Sequence, residues 1–293
     1  MAFSYFSAKE VGEGIFQITN GIFDDTLPTF CYLVLGEKAA MLVDSMYGVG
    51  SLKEFCETLT DKPIINVATH FHGDHTGGSY EFSEFYMSPK DFESFYAGMG
   101  RSGGNAMRTA KRRTLPEYQD QLREQDMIEP KEVRLHPIFE GDLIDLGGKQ
   151  IEVIEVPGHT AGEIVLLDRK ARCLYSGDTC NTNTLLQLDP KCCVAEYLEN
   201  LRKLNGYRSA FDTLFNGHDI QNATIIDEGI ELCEKILRHE DAHLPVTSFS
   251  GTASLAAQRI GNTMDRVDGK RFNAVYNDDR IFRAADGIHT ITV

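Results

Sequence analysis

Short apolar runs, each closed by a turn residue, set the rhythm of this chain. Residues 15–19 (Ile-Phe-Gln-Ile-Thr), 30–35 (Phe-Cys-Tyr-Leu-Val-Leu) and 39–43 (Ala-Ala-Met-Leu-Val) read as three strands. Gly36-Glu37-Lys38 joins the last two, and Asp44 ends the third. The period then changes, and Leu52, Phe55, Cys56 and Leu59 share one face of a helix over about 49–60. After Pro63 the β-branched run Ile64, Ile65, Val67, Ala68 predicts a buried strand over 64–69. A short helix past Gly77-Gly78 and a strand near Glu84-Phe85-Tyr86-Met87 follow.

From Pro89 to about Glu129 the pattern turns polar and helical, punctuated by Gly98, Gly100, Gly103 and Gly104. It carries Phe92, Phe95, Tyr96, Met99, Met107 and the basic run Arg108 to Arg113. We read 89–129 as a helical insertion beside a site, with a lid as its expected role. Strands return as a meander at 133–139, 143–146 and 149–156, with Gly141-Asp142 and Gly147-Gly148 as turns. Strands at 163–168 and 172–176, a helix at 193–204, a strand at 211–215 and a helix at 224–240 follow. In the tail, Phe272 to Tyr276, Ile281 to Arg283 and Ile288 to Val293 predict edge strands. Strands alternating with helices predict an α/β fold, and no linker divides the chain, so residues 1–293 read as one domain.

The candidate chemistry sits where the strand at 64–69 ends, in Thr69-His70-Phe71-His72-Gly73-Asp74-His75. On an extended backbone His70 and His72 point the same way and can hold one cation between two imidazoles. Asp74 and His75 follow Gly73, where the chain must turn, and can face a second cation. Three later strands also end in Gly beside His or Asp: Gly158-His159, Gly177-Asp178 and Gly217-His218. Glycine permits the sharp turn and close approach that aim the next side chain across the sheet edge. His136, His239, His243 and His289 lack this setting and read as surface or core residues.

Composition narrows the class. A formal charge of −15 opposes non-specific binding to nucleic acid or anionic membranes. No apolar stretch reaches the roughly 18 residues of a spanning helix, and the amino terminus has no secretory pattern. The seven unpatterned cysteines fit reduced thiols, so a cytoplasmic protein acting on a small molecule is expected.

His70-x-His72-x-Asp74-His75, followed by His159, Asp178 and His218 in that order, resembles the complete metal-ligand signature of the metallo-β-lactamase superfamily. The resemblance covers roughly residues 15–220 and implies an αβ/βα four-layer sandwich, here with a helical insertion. It implies one metal on His70, His72 and His159, a second on Asp74, His75 and His218, and Asp178 as a bridge. It also implies two divalent cations, zinc first with iron or manganese as alternatives, activating a shared hydroxide that Asp74 orients. Keeping both His75 and Asp178 is similar to the glyoxalase II and lactonase branch, so a small ester, thioester or lactone is the expected substrate. Phosphodiester hydrolysis, with the basic run neutralising phosphate, and a mononuclear iron persulfide dioxygenase are the alternatives.

Overall fold

The computed structural model describes residues 5–23, 28–248 and 251–283, and for residues 99–109 and 248 the backbone alone. In chain order the strands are β1 (Phe6–Gly12), β2 (Ile15–Asn20), β3 (Phe30–Leu35), β4 (Ala40–Val43), β5 (Ile64–Val67), β6 (Glu84–Met87), β7 (Arg134–Pro137), β8 (Leu143–Asp145) and β9 (Gln150–Glu155). They continue as β10 (Ile164–Asp168), β11 (Cys173–Gly177), β12 (Thr184–Leu185), β13 (Thr213–Asn216), β14 (Ile220–Asn222), β15 (Leu244–Ser248), β16 (Gly251–Leu255) and β17 (Ala274–Tyr276). The helices are α1 (Leu52–Glu57), α2 (Gly73–Thr76), α3 (Phe92–Arg113), α4 (Val194–Asn205) and α5 (Ile225–Leu237).

Among the described residues these strands make three sheets, of seven (β1 to β7 in sequence), six (β14-β13-β11-β10-β9-β8) and four strands (β12-β17-β16-β15). The alternation of side chains builds the layers. Tyr32 and Val34 of β3 face Ile164, Leu166 and Tyr175 across one core between the two larger sheets. Cys31 and Leu33, the intervening residues, face outward and are covered by Leu52 and Cys56 of α1. On the far side Val165, Leu167 and Leu174 pack under Leu198 and Leu201 of α4 and Ile226 and Ile236 of α5. Helix, sheet, sheet and helix make the four layers, and β4, covered on both faces, is buried at every position.

Strands β4 to β7 pair in parallel, so each connection between them must be a crossover. The second crossover holds His70 to His75 and the third is the insertion, and both leave from the carboxyl ends of strands. The expected meander over 133–156 is therefore divided. β7 joins the first sheet beside β6, and only β8 and β9 form a hairpin. The insertion is the physical reason, because it supplies the chain length a parallel return to β6 requires. Its glycines do not break it, and α3 runs unbroken for 22 residues. Phe95 near its start is buried against Tyr80 and Phe85, and Ala110 near its end packs with Ile22, Phe23 and Met127.

The tail also differs from expectation. β17 matches the stretch near Phe272, but Ile281 to Arg283 follow a 3-10 turn without forming a strand, and 288–293 lie outside the described residues. The β15–β16 hairpin was not foreseen. Pro245 sits in β15 because that strand is the sheet's edge, where a missing donor costs nothing. Among the described residues no helix is long and apolar enough to cross a membrane.

Candidate metal centre

The structure gathers the seven expected side chains into one cluster at the strand ends. His70, His72 and His159 place their ligand-capable atoms within 4.8 Å of one another, and so do His70, His75 and Asp178, and Asp74, His75 and His218. No cysteine joins these groups among the described residues. The backbone is not a continued strand, since β5 stops at Val67 and His72 caps the short helix α2 that carries Asp74 and His75. His70 and His72 still converge, with ring centroids 4.8 Å apart. Gly177 adopts φ 49°, and a Cβ at Gly217 would collide with the His75 ring, so these two glycines provide the turn and the close approach expected of them.

Four of the five imidazoles have one nitrogen engaged outside the cluster, which aims the other inward. His159 Nδ1 donates to the Leu185 carbonyl at 2.9 Å and His218 Nδ1 to the Pro28 carbonyl at 2.8 Å. His75 Nδ1 donates to Asp44 Oδ2 at 2.8 Å. Thr69 Oγ1 donates to Asp44 and accepts from His70 Nδ1 at 3.1 Å. Acceptors of this kind fix the tautomer and raise the basicity of the free nitrogen. His72 is the exception, facing His159 Nε2 through its own Nδ1 at 2.9 Å.

The donor set fits a cation. With His159 protonated on Nδ1, its Nε2 lone pair points at His72 Nδ1, where it accepts from an Nδ1–H or, with both nitrogens bare, faces a cation. Nε2 of His70 and of His75 are buried and have no hydrogen-bond partner among the described residues. Asp178 spans the cluster, with Oδ1 3.3 Å from His218 Nε2 and 3.7 Å from His75 Nε2, and Oδ2 3.4 Å from His159 Nε2. Asp74 Oδ2 lies 3.8 Å from His218 and 3.9 Å from His75, and its side chain is 24% exposed, more than any other ion-pairing group in the cluster.

Electrostatics divide the cluster in two. Burial, then the neighbouring imidazoles His75, His72 and His159, hold His70 well below its usual range. Burial and His159 push His72 down to about 3, and burial lowers His159 as well. These three are neutral donors at pH 7. At His218 burial opposes the charge, but Asp178 and Asp74 outweigh it and raise the imidazole to about 9. His75 is raised likewise, burial being overcome by Asp44, Asp178 and Asp74. One half thus offers neutral nitrogens, and the other offers carboxylates whose charge protons balance in the absence of metal.

Sequence reasoning missed the carboxylates around the cluster. Asp44 had been read only as the end of a strand, yet it is buried at φ 60° and serves both His75 and Thr69. Asp91 accepts from Phe71 N at 3.1 Å, Thr160 Oγ1 at 2.9 Å and Gly162 N at 2.8 Å, tying the loop of His70 and His72 to that of His159. Asp189 accepts from Ala161 N in the same loop. Glu163 accepts from Asp178 N at 3.0 Å, and burial followed by Asp178 raises its pKa well above the usual range. Asp44 directly after β4 and Glu163 directly before β10 sit at strand ends, which was the available signal, while Asp91 and Asp189 carried none. The basic run gives no solvent-facing anion site at its end, since Arg113 is buried over the rings of Phe23 and Tyr47. The side chains of Met99, Met107 and Arg108 lie outside the described residues, as does His289. His136 pairs with Glu84 and His243 with Asp278, away from the cluster.

The sequence profile described as metallo-beta-lactamase superfamily matches residues 24–226. The chain is 26% identical over 221 residues to human acyl-coenzyme A thioesterase MBLAC2, covering 69% of this chain and 76% of that protein. It is 22% identical over 261 residues to the atrochrysone carboxyl ACP thioesterase AacuM of Aspergillus aculeatus, covering 84% and 69%. Among solved structures, a beta-lactamase domain protein from Burkholderia ambifaria superposes with a TM-score of 0.57 at 17% identity, covering 82% of this chain and 77% of that one. A metallo-beta-lactamase from Pontibacter korlensis gives 0.54 at 14% identity, covering 77% and 97%.

Proposed function

We propose, for a chain that belongs to the metallo-beta-lactamase superfamily, that its hydrolase site takes two divalent ions, zinc first, and cleaves an acyl thioester. The observation that carries the two-ion reading is Asp178, which turns one carboxylate oxygen toward His75 and His218 and the other toward His159. His70, His72 and His159 would hold one ion and Asp74, His75 and His218 the other, with Asp178 between them. Bound there, the ions supply Lewis acidity and bring the attacking water's pKa toward neutrality.

The chain's own residues do the rest. Asp74, reaching solvent, orients the attacking water and accepts its hydrogen bond. Asp44 fixes His75 directly and His70 through Thr69, so one buried carboxylate sets the aim of a histidine in each half. The electrostatic division supports the same picture, because dications replace the protons on His75 and His218 without leaving buried carboxylates unbalanced. A thioester is favoured because the two similar proteins named for an activity use different carriers, coenzyme A and an acyl carrier protein, and share only that bond. We infer a single domain, since the four-stranded sheet enters the centre through β12 and Leu185.

The test is a panel of acyl thioesters, esters, lactones, phosphodiesters and β-lactams on protein whose metal has been quantified. Two zinc ions per chain and free-thiol release from thioesters at least about 100-fold above the other substrates are expected. A single iron with oxygen uptake, or preference for a phosphodiester, would overturn the proposal.

A further inference from the structure

Arg259 follows β16, in the part of the chain beyond the superfamily match at residues 24–226. Its side chain leads back to the centre. Nη2 donates to Asn183 Oδ1, Asn183 N donates to Asn181 Oδ1 at 2.8 Å, and Asn181 Nδ2 donates to Asp178 Oδ1 at 3.3 Å. Three hydrogen bonds through two asparagines connect the guanidinium to the candidate bridging carboxylate.

Its electrostatic situation sets it apart from its neighbours. Arg266 pairs with Asp268, Arg271 with Asp265 and Arg283 with Glu196, while Arg280 donates to the Asp189 and Gln187 carbonyls. Arg259 is half-buried and pairs with no carboxylate among the described residues, and its Nε is buried with no hydrogen-bond partner. Burial alone pushes it down from the usual arginine range, which leaves the group charged. In a chain of net charge −15 the lack of a counter-ion among the described residues is not for want of carboxylates. A half-buried guanidinium held by one amide among the described residues keeps Nη donors for an oxyanion from outside the chain, while its buried Nε is not reached by one.

We propose that Arg259 is a specificity-determining residue that binds an anionic oxygen group of the substrate, a carboxylate or phosphate carried away from the scissile bond. The inference rests on the thioester reading for its substrate class. The carboxyl-terminal sheet thereby contributes recognition, while the strands of the superfamily match contribute the chemistry. Either the acyl chain or the thiol carrier can bear the anion, and the same guanidinium chemistry serves both.

The experiment compares metal-loaded wild type, Arg259→Lys and Arg259→Gln on three thioester series: carboxylate-terminated acyl groups on N-acetylcysteamine, neutral acyl groups on a phosphate-bearing pantetheine, and neutral acyl groups on N-acetylcysteamine. In one anionic series Arg259→Gln is expected to raise KM at least about tenfold with kcat within about twofold, and Arg259→Lys to restore part of the loss. The neutral series should not change, and the affected series identifies which side carries the anion. Equal losses on all three, or a fall in kcat with unchanged KM, would make Arg259 a prop for Asn183 and Asp178 and overturn the proposal. So would a wild type indifferent to substrate charge. If wild type cleaves no thioester, the thioester reading alone has failed. Calorimetric titration with succinate and inorganic phosphate then decides for Arg259, with binding at least about tenfold weaker in Arg259→Gln expected and equal binding refuting it.

Discussion

Asp91 allows a worked prediction because each of its acceptor contacts is defined. Oδ2 accepts from Phe71 N and Thr160 Oγ1, and Oδ1 accepts from Gly162 N. Asp91→Ala removes all three and leaves one backbone N–H in each of the two loops without its acceptor, each costing about 1–3 kcal/mol, so about 2–6 kcal/mol of stability should be lost. Asp91→Asn falls between. Its single oxygen can occupy either position, and the amide then faces Gly162 N or Phe71 N as donor against donor. Against this loss stands a gain, because burial raises the Asp91 carboxyl to about 6 from an ordinary 3.8. A folded pKa above the unfolded one means the folded chain keeps a proton that the unfolded chain releases. Wild-type stability should therefore fall by about 3 kcal/mol as pH rises from about 4 to 6, then level off from this group. The Asn variant lacks that slope. The assay is urea unfolding in chelator at pH 4.5, 6 and 7.5, with competitive zinc titration of each variant. Asp91→Ala within about 0.5 kcal/mol of wild type, with unchanged zinc affinity, would refute the assignment of Asp91 as the tie between the two loops.

In Asp178→Asn metal content should fall toward one per chain and turnover by orders of magnitude, because the second site loses its counter-charge while packing is kept. Full activity with two metals bound would sink the bridging role of Asp178. Asp44→Asn should weaken metal binding about 10–100-fold by freeing His75 and Thr69, measured by chelator competition, and an unchanged constant would contradict the orienting role. Protons compete with metal at His75 and His218, which are raised, far more than at His70, His72 and His159, which are lowered, so the ion on Asp74, His75 and His218 should leave first as pH falls. Retention of both ions after dialysis at pH 4.5 would contradict the ligand set.

The strands and the seven clustered residues were legible because their signals are local. The unbroken apolar run Phe30 to Leu35 marks two buried faces, and His70 to His75 carry their spacing within one turn of chain. The supports were illegible because they are long-range. Asp44 reaches His75 across 31 positions, Asp91 reaches Gly162 across 71, and His218 leans on the Pro28 carbonyl across 190. A backbone carbonyl such as that of Leu185 has no sequence signal at all. The misread of 133–139 has the same origin, since a strand's partner depends on what the preceding crossover spans and not on the strand's own pattern.

The pairing of β12 with β17 has a consequence for how the molecule is made. Thr184 and Leu185 sit beside Ala274 and Val275, and the Leu185 carbonyl is what holds the His159 ring. The centre is therefore finished only when almost all of the described chain has been synthesised. Until β17 arrives, a nascent chain carries its histidines without the strand that settles one of them. Metal capture then marks completion, and a product truncated before Ala274 would be recognisable by poor metal retention before any loss of its central sheets.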